Sequence, residues 1–311
     1  MTFIELLCNH IKTPFVTAFA YGSGVFKQQS KVSIVGNKMI DYLVVVEDEK
    51  LMEWHESNFK ANPGDYPFFG RLALSKSKLF DEAVYYVPNI TVSGDKKIKY
   101  GVLGWETLIR DLFTWDTMFL AGRLQKPTIR SDIEGDKRNV LNCAMEYNLD
   151  SALRTSLLLN PRYSNDFNRI LKGIISLSYT NDPRLILAES PQKVDNILKG
   201  QFKELEAIYL ERYEKIKSTE LMGGSLGDPI YRMNLICNLP LNLKTELLIE
   251  SPSLWHVALN DENNEIKYLI SSAIGRIVRR SAWKQMILGS ISTPFNEAIN
   301  YALNKVKKRF M

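Results

Sequence analysis

FVTAFAYG at residues 15–22 and MIDYLVVV at 39–46 decide the fold. Both are short apolar runs, the second rich in β-branched residues, and both read as buried strands. The first runs into Gly22-Ser23-Gly24-Val25-Phe26, and a polar loop through Gly36 leads to the second. The second carries one acid, Asp41, near its start. A strand ending in Gly-Ser-Gly beside a strand bearing Asp is an arrangement that suits phosphate and metal. Gly22 and Gly24 let backbone approach a triphosphate and aim N–H groups at its oxygens. Ser23 adds a hydroxyl donor, and Asp41 can hold a Mg²⁺ that bridges phosphate oxygens. Taken alone, Gly-Ser-Gly also reads as an ordinary turn.

Working outward, residues 48–61 have helical character and stop at Asn62-Pro63-Gly64. Residues 83–92 and 96–103 read as strands joined by a turn at Ser93-Gly94-Asp95. Four strands and a helix in the first ~105 residues make an α+β head. From Trp105 the pattern turns helical. Helices are expected at 105–124, 136–159, 164–178 and 190–217, then a Gly-rich break at 223–227, then helices near 242–250 and 263–280. No internal repeat is present.

Composition excludes several classes. With 311 residues, 45% hydrophobic and 24% charged, the chain is ordinary globular material, not a disordered or collagen-like one. Cys8, Cys143 and Cys237 are far apart and form no CxxC pair, which disfavours a zinc knuckle or redox motif and fits a reducing compartment. There is no GxxxxGK[ST], no GxGxxG opening a helix and no HExxH. His10, His55 and His256 are isolated; His55, beside Trp54 on the helix after the Asp41 strand, is the one retained as a candidate. No apolar run is long enough to span a bilayer, and MTFIELLCNHIKTPF is neither a signal nor a transit peptide. The expectation is a soluble protein of the cell or organelle interior.

Charge is uneven. The net charge is +5, but residues 276–311 hold eight basic side chains and one acid, so the rest of the chain is slightly acidic. Thr293 and Pro294 open a helix whose Phe295, Ala298, Ile299, Ala302, Leu303, Val306 and Phe310 share one face, with lysines around it. Such a helix lies in a membrane interface or docks on the protein's own core. An anionic membrane fits better than a nucleic acid, because the tail has few aromatics for base stacking.

Several segments together resemble one family. AYGSGVFKQ (20–28), KMIDYLVVV (38–46) with Trp54-His55, NPGDYPFF (62–69), IKYGVL (98–103), LAGRLQKP (120–127) and SLSYTNDPRLILAE (176–189) are similar, in order, to the mitochondrial translocator assembly and maintenance family. That family is the soluble-type CDP-diacylglycerol synthase, or phosphatidate cytidylyltransferase. The likeness returns at 272–309, and residues 218–262 match poorly. The resemblance implies a nucleotidyltransferase-fold head with a mixed sheet (1–112), a winged-helix-like helical domain (113–220) and a C-terminal region with a membrane-associating tail (221–311). It implies that CTP and phosphatidic acid give CDP-diacylglycerol and pyrophosphate with Mg²⁺. Asp41 is then the metal ligand, and Ser23, Asp41, Lys126 and Arg184 are the catalytic set. Tyr21, Gly22, Ser23, Gly24, Lys99, Arg123, Lys126, Asp182 and Arg184 are the substrate-binding set. Asp182 or Glu189 would complete the metal shell. The sequence departs from pattern at two points. Leu43 stands where nucleotidyltransferases usually carry a second acid, which the resembled family also lacks, and Leu288 stands where that family tends to have Lys. The readings left beside it are a nucleotidyltransferase acting on RNA or protein, and a non-catalytic membrane-docking assembly factor. The expected place is the inner face of a bacterial plasma membrane, with the matrix side of the inner mitochondrial membrane as the alternative.

Overall fold

The computed structural model describes residues 1–26, 39–66, 84–92, 95–183, 192–219, 228–260 and 265–292. The fold is α+β. A mixed five-stranded sheet has the order β3-β4-β2-β1-β5. Its strands are β1 (Thr17–Tyr21), β2 (Ile40–Val46), β3 (Tyr85–Val92), β4 (Lys96–Gly104) and β5 (Thr128–Arg130). β2 and β4 pair in parallel, and the other neighbours are antiparallel. β1 and β2 are central and covered on both faces, which is why they read as nearly unbroken apolar runs. β3 is an edge strand, with Pro88 and a bulge between Val87 and Ile90 that blunt further pairing.

One face of the sheet packs on α1 (Phe3–His10) and α2 (Leu51–Ala61), through Tyr42, Val44, Trp54, Tyr85 and Tyr100. The opposite face, with Phe19, Leu43, Val45 and Leu103, is continuous with the helical core. The centre of that core is α5 (Asp136–Leu159). It packs against α3 (Trp105–Thr114), α6 (Phe167–Leu177), α8 (Phe202–Thr219), α9 (Pro229–Cys237) and α12 (Glu265–Ser292). The remaining helices are α4 (Ala121–Leu124), α7 (Lys193–Gly200), α10 (Leu241–Glu250) and α11 (Leu254–Leu259).

Several elements differ from the sequence reading. The helix expected over 105–124 ends at Thr114, where Trp115 turns left-handed at φ 58°. The cause is Asp111, whose buried carboxylate gathers the returning chain. Its Oδ1 accepts from the Thr117 N–H at 2.7 Å, the Thr117 hydroxyl at 2.9 Å and the Met118 N–H at 3.0 Å. Its Oδ2 accepts from the N–H groups of Leu120 at 2.8 Å and Ala121 at 3.0 Å, which caps α4. The expected helix at 190–217 is two helices, α7 and α8, separated at Gln201. α1 was not anticipated, although Thr2 and Glu5 form a reciprocal capping box at its start. Nor was α9, which Asp228 caps ahead of Pro229. The tail helix read from Thr293 onward lies outside the described residues.

Replacing Asp111 by Ala strands one hydroxyl and four N–H donors in a buried place. The expected loss of stability is about 3 kcal/mol or more. Urea unfolding of Asp111→Ala measures it, and an unchanged midpoint would show that the loop stands without the carboxylate.

Candidate active site

The strand register builds the first half of the site. Tyr21 lies opposite Asp41, and Asp41 opposite Lys99, on three adjacent strands. Cross-strand partners share a face, so all three project on the side that meets the helical core. Beyond β1 the chain turns tightly. Gly22 has φ +82°, and a Cβ there would sit 3.1 Å from Asp41 Oδ2. A Cβ at Gly24 would lie 2.3 Å from the Met39 carbonyl oxygen. Only glycine allows both the left-handed backbone at 22 and the close pass at 24. The Gly22 carbonyl accepts from the N–H groups of Val25 and Phe26 at 3.2 and 2.9 Å. The turn over residues 22–26 is therefore closed on itself and lies against the Asp41 carboxylate.

The second half comes from α4 and the loop after α6. Arg123 lies with its guanidinium carbon 3.6 Å above the Phe119 ring and donates to the Phe119 carbonyl. Lys126 donates to the Gly122 carbonyl and, at 3.0 Å, to Ser178 Oγ; its ammonium is 5.4 Å from the Tyr179 ring. Lys99 sits 4.2 Å from the centre of Tyr86, whose hydroxyl is 3.3 Å from that of Tyr21. Each cation thus rests against an aromatic ring. Asn148 fixes the backbone beneath: it donates to the Ala121 carbonyl at 3.1 Å and accepts from Gln125 at 3.1 Å and Trp115 at 2.9 Å. A Cβ on Gly122 would meet the Ser178 Cβ at 2.4 Å, so glycine lets the 178–182 loop close on α4.

Burial tunes these groups. Desolvation, then the Arg123 and Lys193 cations, lower the Lys126 ammonium to about 7. Burial also works against the Arg123 cation, but the Tyr86 and Tyr21 phenols outweigh it and the net direction is upward. Tyr21 is held protonated by burial and by Tyr86. Asp182 is buried, and its N–H meets the Tyr179 carbonyl at 3.3 Å. Its neighbour Asn181 is left-handed and packs on Gly275 of α12. Arg184 and Glu189 lie outside the described residues.

A family profile described as "Phosphatidate cytidylyltransferase, mitochondrial" matches residues 4–308. The chain belongs to this family. A Schizosaccharomyces pombe relative of that name is 33% identical, over 96% of this chain and 81% of its own. The Mus musculus relative is 30% identical, over 98% of this chain and 94% of its own. The Caenorhabditis briggsae relative is 29% identical, over 94% and 93%. These relatives are eukaryotic and named mitochondrial, so the bacterial placement draws no support from them.

Asp41 is partly exposed at the Gly22 turn, whereas Leu43, two residues on, is fully buried in the core. No group of three or more His, Cys, Asp or Glu suited to a metal occurs among the described residues. Magnesium commonly takes one or two carboxylates and completes its shell with water and substrate phosphate. The single Asp41 beside a turn of amides fits that habit. His55 does not join the site. It is buried on the opposite face of the sheet, 3.1 Å from the Tyr66 hydroxyl, and burial lowers it to about 3. Tyr86, Phe119 and Tyr179, which seat the cations, were not read from the sequence. The signal for Tyr86 was there, since alternation along β3 puts it on the face opposite Tyr85.

With no phosphate bound, Lys126 is expected to lose its proton near pH 7, pushed down by burial and by the Arg123 and Lys193 cations. Substituting Arg123→Gln removes a neighbouring positive charge, so the Lys126 midpoint is expected to rise. NMR titration of the labelled lysine side chain measures it. A midpoint near that of free lysine in the unsubstituted protein would contradict the buried, cation-flanked setting.

Proposed function

We propose that the chain is a phosphatidate cytidylyltransferase that makes CDP-diacylglycerol and pyrophosphate from CTP and phosphatidic acid. The observation that carries this reading is Asp41 packed against the Gly22 turn, on the face where Lys99, Arg123 and Lys126 are held. The family membership supplies the substrates.

The chemistry follows from charge. A phosphate oxygen of phosphatidic acid attacks the α-phosphorus of CTP. The new P–O bond forms as the bond from the α-phosphorus to the bridging oxygen breaks, and pyrophosphate leaves with that electron pair. The attacking phosphate is already ionised near neutral pH, so no strong general base is needed. The obstacle is the approach of two anions, which calls for positioning and fixed charge. The Ser23 hydroxyl and the first amides of the turn bind β and γ oxygens. Arg123 presents a planar fork to phosphate and Lys126 a point charge. Arg184 is retained in this set from the resemblance. Mg²⁺, when bound on Asp41, would neutralise triphosphate charge and stabilise the leaving pyrophosphate. Asp41 fixes that charge against the turn.

The lipid substrate calls for a membrane surface. No described helix is long and apolar enough to cross a membrane, so contact through the basic region 276–311 is the reading adopted. Within α12, Arg279, Trp283, Lys284 and Ile287 are exposed and follow at helical spacing. Arg276 and Arg280 are instead engaged by Glu246, and Arg276 also by Glu250 at 2.7 Å. The proposed location is the matrix side of the inner mitochondrial membrane. The organisation that goes with this function is a head at 1–112, a winged-helix-like segment at 113–220 that lends β5 to the sheet, and a C-terminal region at 221–311.

The test is pyrophosphate release from CTP with Mg²⁺ and phosphatidic-acid vesicles. Release is expected to need the lipid and prefer CTP, and Asp41→Asn is expected to lower it by about a hundredfold or more. Release without lipid would point to another acceptor. Vesicle binding without release would point to a docking protein.

A further inference from the structure

We propose that Tyr86 is a positioning residue for the triphosphate, setting the places of the Lys99 and Arg123 cations through one continuous aromatic surface. The inference rests on the CTP reading and deepens it.

Tyr86 and Phe119 come from distant parts of the chain and meet edge to face, with ring centres 6.2 Å apart at 71°. Lys99 lies 4.2 Å from the centre of the Tyr86 ring, and the Arg123 guanidinium carbon lies 3.6 Å from that of Phe119. Two rings in contact with each other therefore each carry one of the two cations. The Tyr86 hydroxyl ties this surface to Tyr21, the cross-strand partner of Asp41.

The neighbouring strand is shaped for the ring. Gly101 is the cross-strand partner of Tyr86, and a Cβ there would lie 2.7 Å from the Tyr86 ring and 2.5 Å from Val84 Cγ1. A side chain at 101 would lift the ring off the sheet and carry Lys99 with it. Glycine in the IKYGVL stretch thereby gains a reason beyond flexibility.

The choice of a ring has a physical consequence. An aromatic face holds a cation through its quadrupole and leaves the cation's charge in place. A carboxylate in that seat would cancel the charge, and an arriving phosphate would have to break the ion pair. Rings seat the cations without competing for the ligand.

The test compares CTP with CMP, which lacks the β and γ phosphates, by calorimetric titration without lipid. Tyr86→Leu is expected to weaken CTP about tenfold and CMP less than about twofold. Tyr86→Phe, which keeps the ring and loses only the hydroxyl, recovers most of that loss. Thermal midpoints of both variants, read alongside, report on folding. Unchanged CTP affinity in Tyr86→Leu overturns the proposal. So does an equal loss for CTP and CMP, or a Phe variant as weak as the Leu variant. Absence of CTP binding by the unsubstituted protein overturns both this proposal and the CTP reading. Intact binding with an indifferent Tyr86→Leu overturns this proposal alone.

Discussion

The carboxylate of Asp111 sits where the chain, having left the sheet at the end of β4, turns back toward it. By accepting five hydrogen bonds it stops α3, folds residues 115–121 into a tight return and starts α4. Two bulky residues in that return, Trp115 and Met118, are left-handed. Such backbone is unfavourable for large side chains and persists only where surrounding bonds over-determine it. Trp115 gains burial and a bond to Asn148 in exchange, and Asn148 in turn holds the ends of α4 through Ala121 and Gln125. Arg123 and Lys126 thus lie on and just after one helical turn clamped from both sides. The precision of the basic half of the site comes from a residue that touches neither cation.

The two halves of the site have different electrostatic characters. The sheet half offers a carboxylate, a hydroxyl and backbone donors on a rigid register. The α4 half offers cations in a partly desolvated setting, where burial and like charge destabilise the ammonium of Lys126. A phosphate placed between them would offset that repulsion. Such an arrangement favours a highly charged ligand over a neutral one of the same shape.

Much of this was legible in the sequence because it follows from local rules. The strands around Gly22 and Asp41 announce themselves by apolar runs, whereas the order and register of the sheet are seen only in the structure. The hairpin of β3 and β4 was readable from alternation around a turn. The helix expected over 105–124 was not stopped at the right place because amphipathic spacing continues past Trp115. Asp111 looks like any acid on a helix until the five donors around it are known. β5 is three residues long, too short to leave a periodic trace. His55 is the reverse case: its neighbour Trp54 and its place after the Asp41 strand suggest a site residue. Yet helix α2 covers the far face, where His55 belongs to a packed aromatic cluster with Tyr66 and Tyr85. The aromatic seats of the cations escaped because they join β3, the 115–121 return and the loop after α6, and no spacing along the chain encodes such a meeting.

β5 has a consequence for how the molecule comes into being. Its pairing sets Phe19 beside Arg130, across more than a hundred residues of chain. β2 and β4 close over a shorter but still long interval. High contact order of this kind slows folding, because loop entropy is spent before long-range pairs reward it. On a ribosome, the flank of β1 stays without its partner until synthesis has passed α3 and α4. The sheet that carries Asp41 is thus completed by a segment that follows the Asp111 return in the chain, so β5 can pair with β1 only after the residues of that return have been synthesised.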